Sequence, residues 1–189
     1  DDPDGWDYRL QCTRFSEAVA AMKDAGFECG IVHCSNTPAS MLDHSMQFDM
    51  IRAGIGLYGL QPCEKSAPIM PLEPVMSVRA RVTRTIHPAM GGGVGYGFPF
   101  RVPRARVQVC TIPVGYADGL SRTLSNKMDV LYRGQRIRQV GNICMDQCMV
   151  AIQQTPARQM PEAEVGDLIT IVGKDGDAVI SMDEMARLR

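Results

Sequence analysis

The chain of 189 residues carries 20 Lys and Arg against 21 Asp and Glu, a formal net charge of −1, with 45% hydrophobic and 22% charged residues. That balance excludes disorder, collagen and coiled coil, and it lacks the basic field that a phosphate backbone demands, so no nucleic-acid partner is expected. No apolar run approaches the roughly 20 residues of a bilayer span and the acidic start DDPDGWDYRL is unlike a signal peptide, so a soluble cytoplasmic chain without a membrane partner is expected.

In chain order, Phe15, Ala18, Val19 and Met22 recur at helical spacing and predict an amphipathic helix over 13–25, terminated by Gly26. Cys29-Gly-Ile-Val-His33 reads as a buried parallel strand that ends at Asn36-Thr37-Pro38, where Thr37 can cap a helix and Pro38 suits its first turn. Phe48-Asp-Met-Ile-Arg52 reads as a second strand, running into Ala53-Gly-Ile-Gly-Leu-Tyr-Gly59. This is the grammar of a parallel α/β fold, yet it stops after about sixty residues, whereas a closed (β/α)8 barrel needs roughly 250. Three prolines within 63–74 mark the expected boundary.

Beyond it the period falls to two. Met76, Val78, Ala80 and Val82 alternate with Ser77, Arg79, Arg81 and Thr83, predicting a half-buried antiparallel strand. Gly91 to Gly97 reads as a flexible loop. Strands are expected at 104–113, 129–133, 136–140, 143–152 and 168–172, with turns at Arg133-Gly134 and Asp175-Gly176. Ser181-Met-Asp-Glu184 resembles a capping box opening a last helix. The expected domains are therefore an α/β part over 1–62, a linker over 63–74 and an antiparallel β-rich domain over 75–189.

Several residues could carry chemistry. Thr37 and the backbone of Gly54-Ile55-Gly56 could cradle a phosphate, although a plain helix cap and a turn are the commoner meaning of such residues. Arg52, at the end of an apolar strand, needs a carboxylate, a phosphate or a ring nitrogen as partner, because a guanidinium cannot shed its charge. Tyr96 and Tyr116, each flanked by glycine, read either as acid–base groups or as aromatics packed at a sheet rim. Cys144 and Cys148 lack metal-ligand spacing and read as core packers, so no metal is expected; the 13 methionines read as core filler. Seven cysteines without framework spacing suit a reducing compartment.

Taken in order, His33-Cys-Ser-Asn-Thr37, Asp49-Met-Ile-Arg-Ala-Gly-Ile-Gly-Leu-Tyr-Gly59, Val94-Gly-Tyr-Gly97, Ile112-Pro-Val-Gly-Tyr-Ala-Asp-Gly119 and Val140-Gly-Asn-Ile-Cys-Met-Asp-Gln147 resemble the C-terminal half of the alanine racemase family, from about Asp7 onward. The resemblance implies the C-terminal fragment of a (β/α)8 barrel followed by a β-rich domain, pyridoxal 5′-phosphate as cofactor, alanine as substrate, a homodimer, and D-alanine supplied for peptidoglycan. It implies that Thr37, where the family has Ser, binds the cofactor phosphate together with the backbone of Gly54 and Ile55. Arg52 would face the pyridine nitrogen, and His33 would orient Arg52. Tyr96 would be one of two bases, acting in the partner subunit's site. Tyr116 would narrow the substrate entrance, and Met145 would contact the substrate carboxylate through its N–H.

None of Lys23, Lys65, Lys127 and Lys174 sits in the context of the family's cofactor lysine, so the isolated chain is expected to be inactive. A racemase of serine, lysine or a broad range of amino acids, or a non-catalytic β module with a barrel remnant, are the alternatives.

Overall fold

In the computed structural model, which describes residues 2–103, 106–155 and 159–188, Gly5 opens helix α1 over Trp6–Asp24. The helix begins a full turn and more before the sequence periodicity does, because its first residues lack apolar spacing, and it ends as expected, with Gly26 at φ 83°. No residue of α1 is buried; its packing within residues 1–75 includes the Phe15 ring edge-on to Phe48, centroids 5.4 Å apart, and Tyr8, whose hydroxyl donates to Asp43 Oδ2 at 3.0 Å. Helix α2 follows at Thr37–Leu42.

Neither predicted strand of this first unit forms a ladder. Segments 31–35 and 49–52 lie side by side, but Asp49 N–H donates to the Val32 carbonyl at 3.0 Å and Arg52 N–H to the Ser35 carbonyl at 2.9 Å, while the return bond from Val32 N–H goes to the Asp49 carboxylate at 2.9 Å. A side chain thus stands where a strand would present a carbonyl, and the regular alternation of a parallel pair is lost.

The second unit, 76–189, is an antiparallel β structure. Its strands are β1 Val78–Arg81, β2 Arg84–Ile86, β3 Gly93–Val94, β4 Phe100–Arg101, β5 Val107–Ile112, β6 Asp129–Tyr132, β7 Gln135–Val140, β8 Cys148–Gln153, β9 Leu168–Asp175 and β10 Ala178–Ile180, followed by α3 Met182–Leu188. The large sheet runs β1-β9-β6-β7-β8-β5-β2, with β10 also on β9. Its first and last strands are halves of one segment: between them Val82 N–H donates to the Asp167 carbonyl at 2.8 Å and Thr83 N–H to the Thr111 carbonyl at 2.9 Å. The sheet therefore closes on itself, leaving no long open edge.

Period-two alternation sorts side chains to two cores. Inside the closed sheet lie Val82, Cys110, Ile112, Val130, Ile137, Cys148, Val150, Ile152, Ile169 and Ile171. On its outer face Val107, Val109, Val140 and Ala151 meet Val94 and Val102 of the small β3–β4 hairpin. Each such buried aliphatic side chain contributes about 1.5–3 kcal/mol.

Other expectations are corrected in detail. Gly91 to Gly97 is not a loop throughout, since burial of Val94 draws 93–94 into the hairpin. The strand expected at 104–113 is seen from Val107 to Ile112; Arg104 and Ala105 lie outside the described residues. The strand expected at 143–152 starts only at Cys148, because 141–147 turns away to form a loop whose Cys144 N–H donates to the Gln147 carbonyl at 2.9 Å. The β6–β7 turn has positive φ at both Arg133 (48°) and Gly134 (73°), as a two-residue hairpin requires, whereas the β9–β10 turn falls at 176–177, one residue later than expected. At α3 half the capping box forms: Ser181 Oγ accepts from Glu184 N–H at 3.1 Å, but the Glu184 carboxylate pairs with Arg136 at 2.5 and 2.8 Å. The methionines divide, with Met128, Met160 and Met185 buried and Met22, Met90 and Met145 exposed.

Candidate functional site

In the first unit the residues singled out in the sequence gather where 31–37 meets 49–58. Asn36, not Thr37, caps α2, its Oδ1 accepting from Ala39 N–H at 3.1 Å. The Thr37 hydroxyl, released from capping, accepts from Gly54 N–H at 2.8 Å and ties the two segments together. Gly54 leads into a 3-10 turn over Ile55–Tyr58, whose first bond is Leu57 N–H to the Gly54 carbonyl at 3.0 Å, so the Ile55 N–H precedes any intrahelical acceptor. Gly56, read in the sequence as part of a phosphate cradle, also has a packing role. A Cβ there would come within 2.8 Å of Thr37 Cγ2, so the Thr37 contact requires glycine at this place.

Arg52 is exposed, and among the described residues no carboxylate pairs with it. Its NH1 lies 2.7 Å from His33 Nδ1 and its NH2 donates to the Cys34 carbonyl at 3.0 Å. A guanidinium can only donate, so Nδ1 accepts and the ring proton of His33 sits on Nε2. Burial pushes the neighbouring Cys34 thiol above its usual range, opposed by the Ser35 hydrogen bond and the Arg52 charge.

In the second unit Tyr96 stands at the tip of the β3–β4 hairpin, 75% exposed. Tyr116 opens a 3-10 turn directly after β5 and is also exposed, as is Met145. Loop 141–147 brings the three together. Asn142 Nδ2 donates to the Tyr96 carbonyl at 2.8 Å, Tyr116 N–H donates to the Cys144 carbonyl at 3.0 Å, and Ala117 N–H donates to the Met145 carbonyl at 2.8 Å. Gly115 lies so close under this loop that a Cβ would collide with the Cys144 and Met145 carbonyls. The Met145 N–H makes no hydrogen bond among the described residues. Asn142 was not singled out in the sequence; its place inside the Val140–Gln147 motif, directly after a glycine, is the signal that could have found it.

All seven cysteines are free thiols, Cys144 and Cys148 being buried, and among the described residues no three His, Cys, Asp or Glu side chains converge.

The sequence pattern of the alanine racemase N-terminal domain matches residues 1–62, and that of the alanine racemase C-terminal domain matches residues 75–189. The chain belongs to the alanine racemase family. Alanine racemases of Nostoc and Synechocystis are both 39% identical to it over 98% of its length. Among solved structures, the alanine racemase of Bacillus anthracis with bound L-Ala-P superposes with a TM-score of 0.85 at 31% identity, covering 99% of this chain and 47% of that one. That of Bartonella henselae, with covalently bound pyridoxal phosphate, gives a TM-score of 0.79 at 27% identity over 99% of this chain and 48% of that one. The chain spans about half the length of these relatives, 47% of the Nostoc racemase.

Proposed function

We propose that this chain is part of an alanine racemase, an isomerase that interconverts L- and D-alanine with pyridoxal 5′-phosphate. The observation that carries the reading is Arg52, a permanent cation held by His33 Nδ1 and the Cys34 carbonyl, with no carboxylate paired to it among the described residues, two residues before the turn that Thr37 secures. The residues fit the cofactor. The Thr37 hydroxyl accepts from Gly54 and keeps its own proton to donate, and a Cβ at Gly54 would meet only Thr37 Oγ1, at 3.9 Å, so the approach to this backbone is open.

When bound, the cofactor supplies an electron sink that acidifies the Cα proton of the amino acid. Thr37 and the backbone of Gly54 and Ile55 would hold its phosphate. Arg52, unable to give up its charge, would meet the ring nitrogen of the bound group and disfavour protonation there, which would moderate the electron sink the group supplies. His33 holds the guanidinium in place through the unprotonated Nδ1. Tyr96 carries the proton on one face of Cα, Tyr116 narrows the entrance, and the Met145 N–H positions the substrate carboxylate.

The proposal extends to the rest of the protein: a barrel fragment over 1–62, a linker over 63–74 and the β-rich domain over 75–189, within a cytoplasmic homodimer that shares its sites and supplies D-alanine for peptidoglycan. The test is chiral separation of products from the complete protein. Alanine is expected to turn over faster than serine or lysine, and the reverse order would refute the substrate. In single-turnover exchange, Tyr96→Phe is expected to suppress release of the α-proton from one enantiomer far more than from the other. Equal suppression would remove Tyr96 from its assigned face.

A further inference from the structure

Tyr96 lies between Gly95 and Gly97, at φ 78° and 75°, so the hairpin tip has little stiffness of its own. Its stiffness comes from loop 141–147. The Asn142 amide is, among the described residues, the one side chain hydrogen-bonded to 95–97, through Nδ2 to the Tyr96 carbonyl at 2.8 Å. Beside that bond the backbones interlock: a Cβ on Gly95 would stand 2.9 Å from the Asn142 nitrogen, and one on Gly141 would stand 2.9 Å from the Val94 carbonyl oxygen.

The loop is itself fixed from the other side. Gly141 N–H donates to Asn126 Oδ1 at 2.8 Å, Ile143 N–H donates to Ser125 Oγ at 3.0 Å, and the fully buried Gln139 donates to the Gly141 carbonyl at 2.9 Å. The tip is thus joined, through one side-chain amide and close backbone contact, to a support that is hydrogen-bonded along its own length. The bond reaches the tyrosine's own carbonyl, so it fixes the Cα from which the phenol is presented.

We propose that Asn142 is a positioning residue for Tyr96, setting the placement of the phenol and hence the rate of proton transfer on that face of Cα. The inference rests on the reading of Tyr96 as a base. A group misplaced by about 1 Å loses up to roughly a hundredfold in rate, and freeing the tip allows displacements of that size.

The experiment uses the complete, cofactor-loaded enzyme and follows single-turnover release of the α-deuteron from L- and D-alanine. Asn142→Ala removes the donor. Asn142→Asp keeps the size but turns a carboxylate toward the Tyr96 carbonyl, and it carries the test if the alanine variant fails to fold. Both variants are expected to slow exchange from the enantiomer that depends on Tyr96 by roughly ten- to a hundredfold, leaving the other within about twofold. In a Tyr96→Phe background the Asn142 change is expected to add nothing. An equal loss for both enantiomers, no loss, or an additive loss in the double variant overturns the positioning role. If Tyr96→Phe alone slows both enantiomers equally, it is the base assignment that fails, and this inference falls with it.

Discussion

At the scale of single residues, the first unit turns on who donates to whom. Arg52 is held by two acceptors, an imidazole nitrogen and a carbonyl, neither of which carries a charge that would neutralise the guanidinium. His33→Ala removes one of them and leaves the guanidinium tethered by a single bond. In the complete enzyme this is expected to lower kcat by about 5- to 30-fold, the equivalent of roughly 1–2 kcal/mol for a hydrogen bond to a charged group, with the absorption of the bound cofactor changed. Unaltered kcat and spectrum would show that His33 does not orient Arg52. Asn36 takes the capping part that the sequence suggested for Thr37. Either can cap a helix, and the choice depends on the carboxamide of Asn36 reaching Ala39 while Gly54, 17 positions away, claims the hydroxyl.

At the scale of elements, the loop of 141–147 is as firm as the strand that feeds it. Gln139 on β7 is fully buried and accepts from Asn126 N–H at 2.7 Å while donating to the carbonyls of Val140 and Gly141 at 3.1 and 2.9 Å. Gln139→Ala strands these groups and leaves a cavity, so a loss of about 2–4 kcal/mol is expected in denaturant unfolding; a loss under about 0.5 kcal/mol would mean that water replaces the amide without cost. The closed sheet was legible in outline: period-two runs located β1 and β5 to β9, and Arg133-Gly134 located a turn. The β3–β4 hairpin was not, because two-residue strands carry no period and their pairing follows from burial of Val94 and Val102 against β5, β7 and β8. The predicted strands around Val32 and Met50 failed for the opposite reason. Their apolar pattern is sound, but a strand is defined by its neighbours, and the Asp49 carboxylate occupies Val32's donor. Of the candidate site, the motifs located the tyrosines, Met145 and Arg52, while the amide that joins Tyr96 to the loop is a contact across 46 positions that no local spacing encodes.

At the scale of the molecule, both units hold carboxyls below their usual range, Asp2 and Asp43 doing so in the first. In the second, the Glu164 N–H and the Tyr132 hydroxyl hold the Asp167 carboxyl below its usual range, and the bidentate Arg136 does the same for Glu184. A depressed carboxyl contributes stability that is complete above its unfolded value near 4 and is lost as pH falls through the lower folded value. The thermal midpoint of the second unit is therefore expected to stay level from pH 7 to about 5 and to fall below about 4; a midpoint that rises on acidification would contradict these pairings. Burial pushes Cys110 and Cys148 up to about 12, so thiol reagents at pH 8 should reach them only on unfolding, as peptide mass mapping would register, whereas early labelling at either would mean an open sheet. The first unit differs in burial: no residue of α1 is buried, and Trp6, Phe27, Ile31 and Leu57 are all exposed. On the proposed reading, the single loop that fastens both tyrosines also has a consequence for descent. Because Gly95, Asn142, Tyr116 and Met145 share one mount, substitutions among them do not add, and a lineage widening its substrate entrance through this loop disturbs its proton transfer in the same step. Epistasis of this kind confines heritable change in substrate choice to side chains that leave the loop backbone where it is.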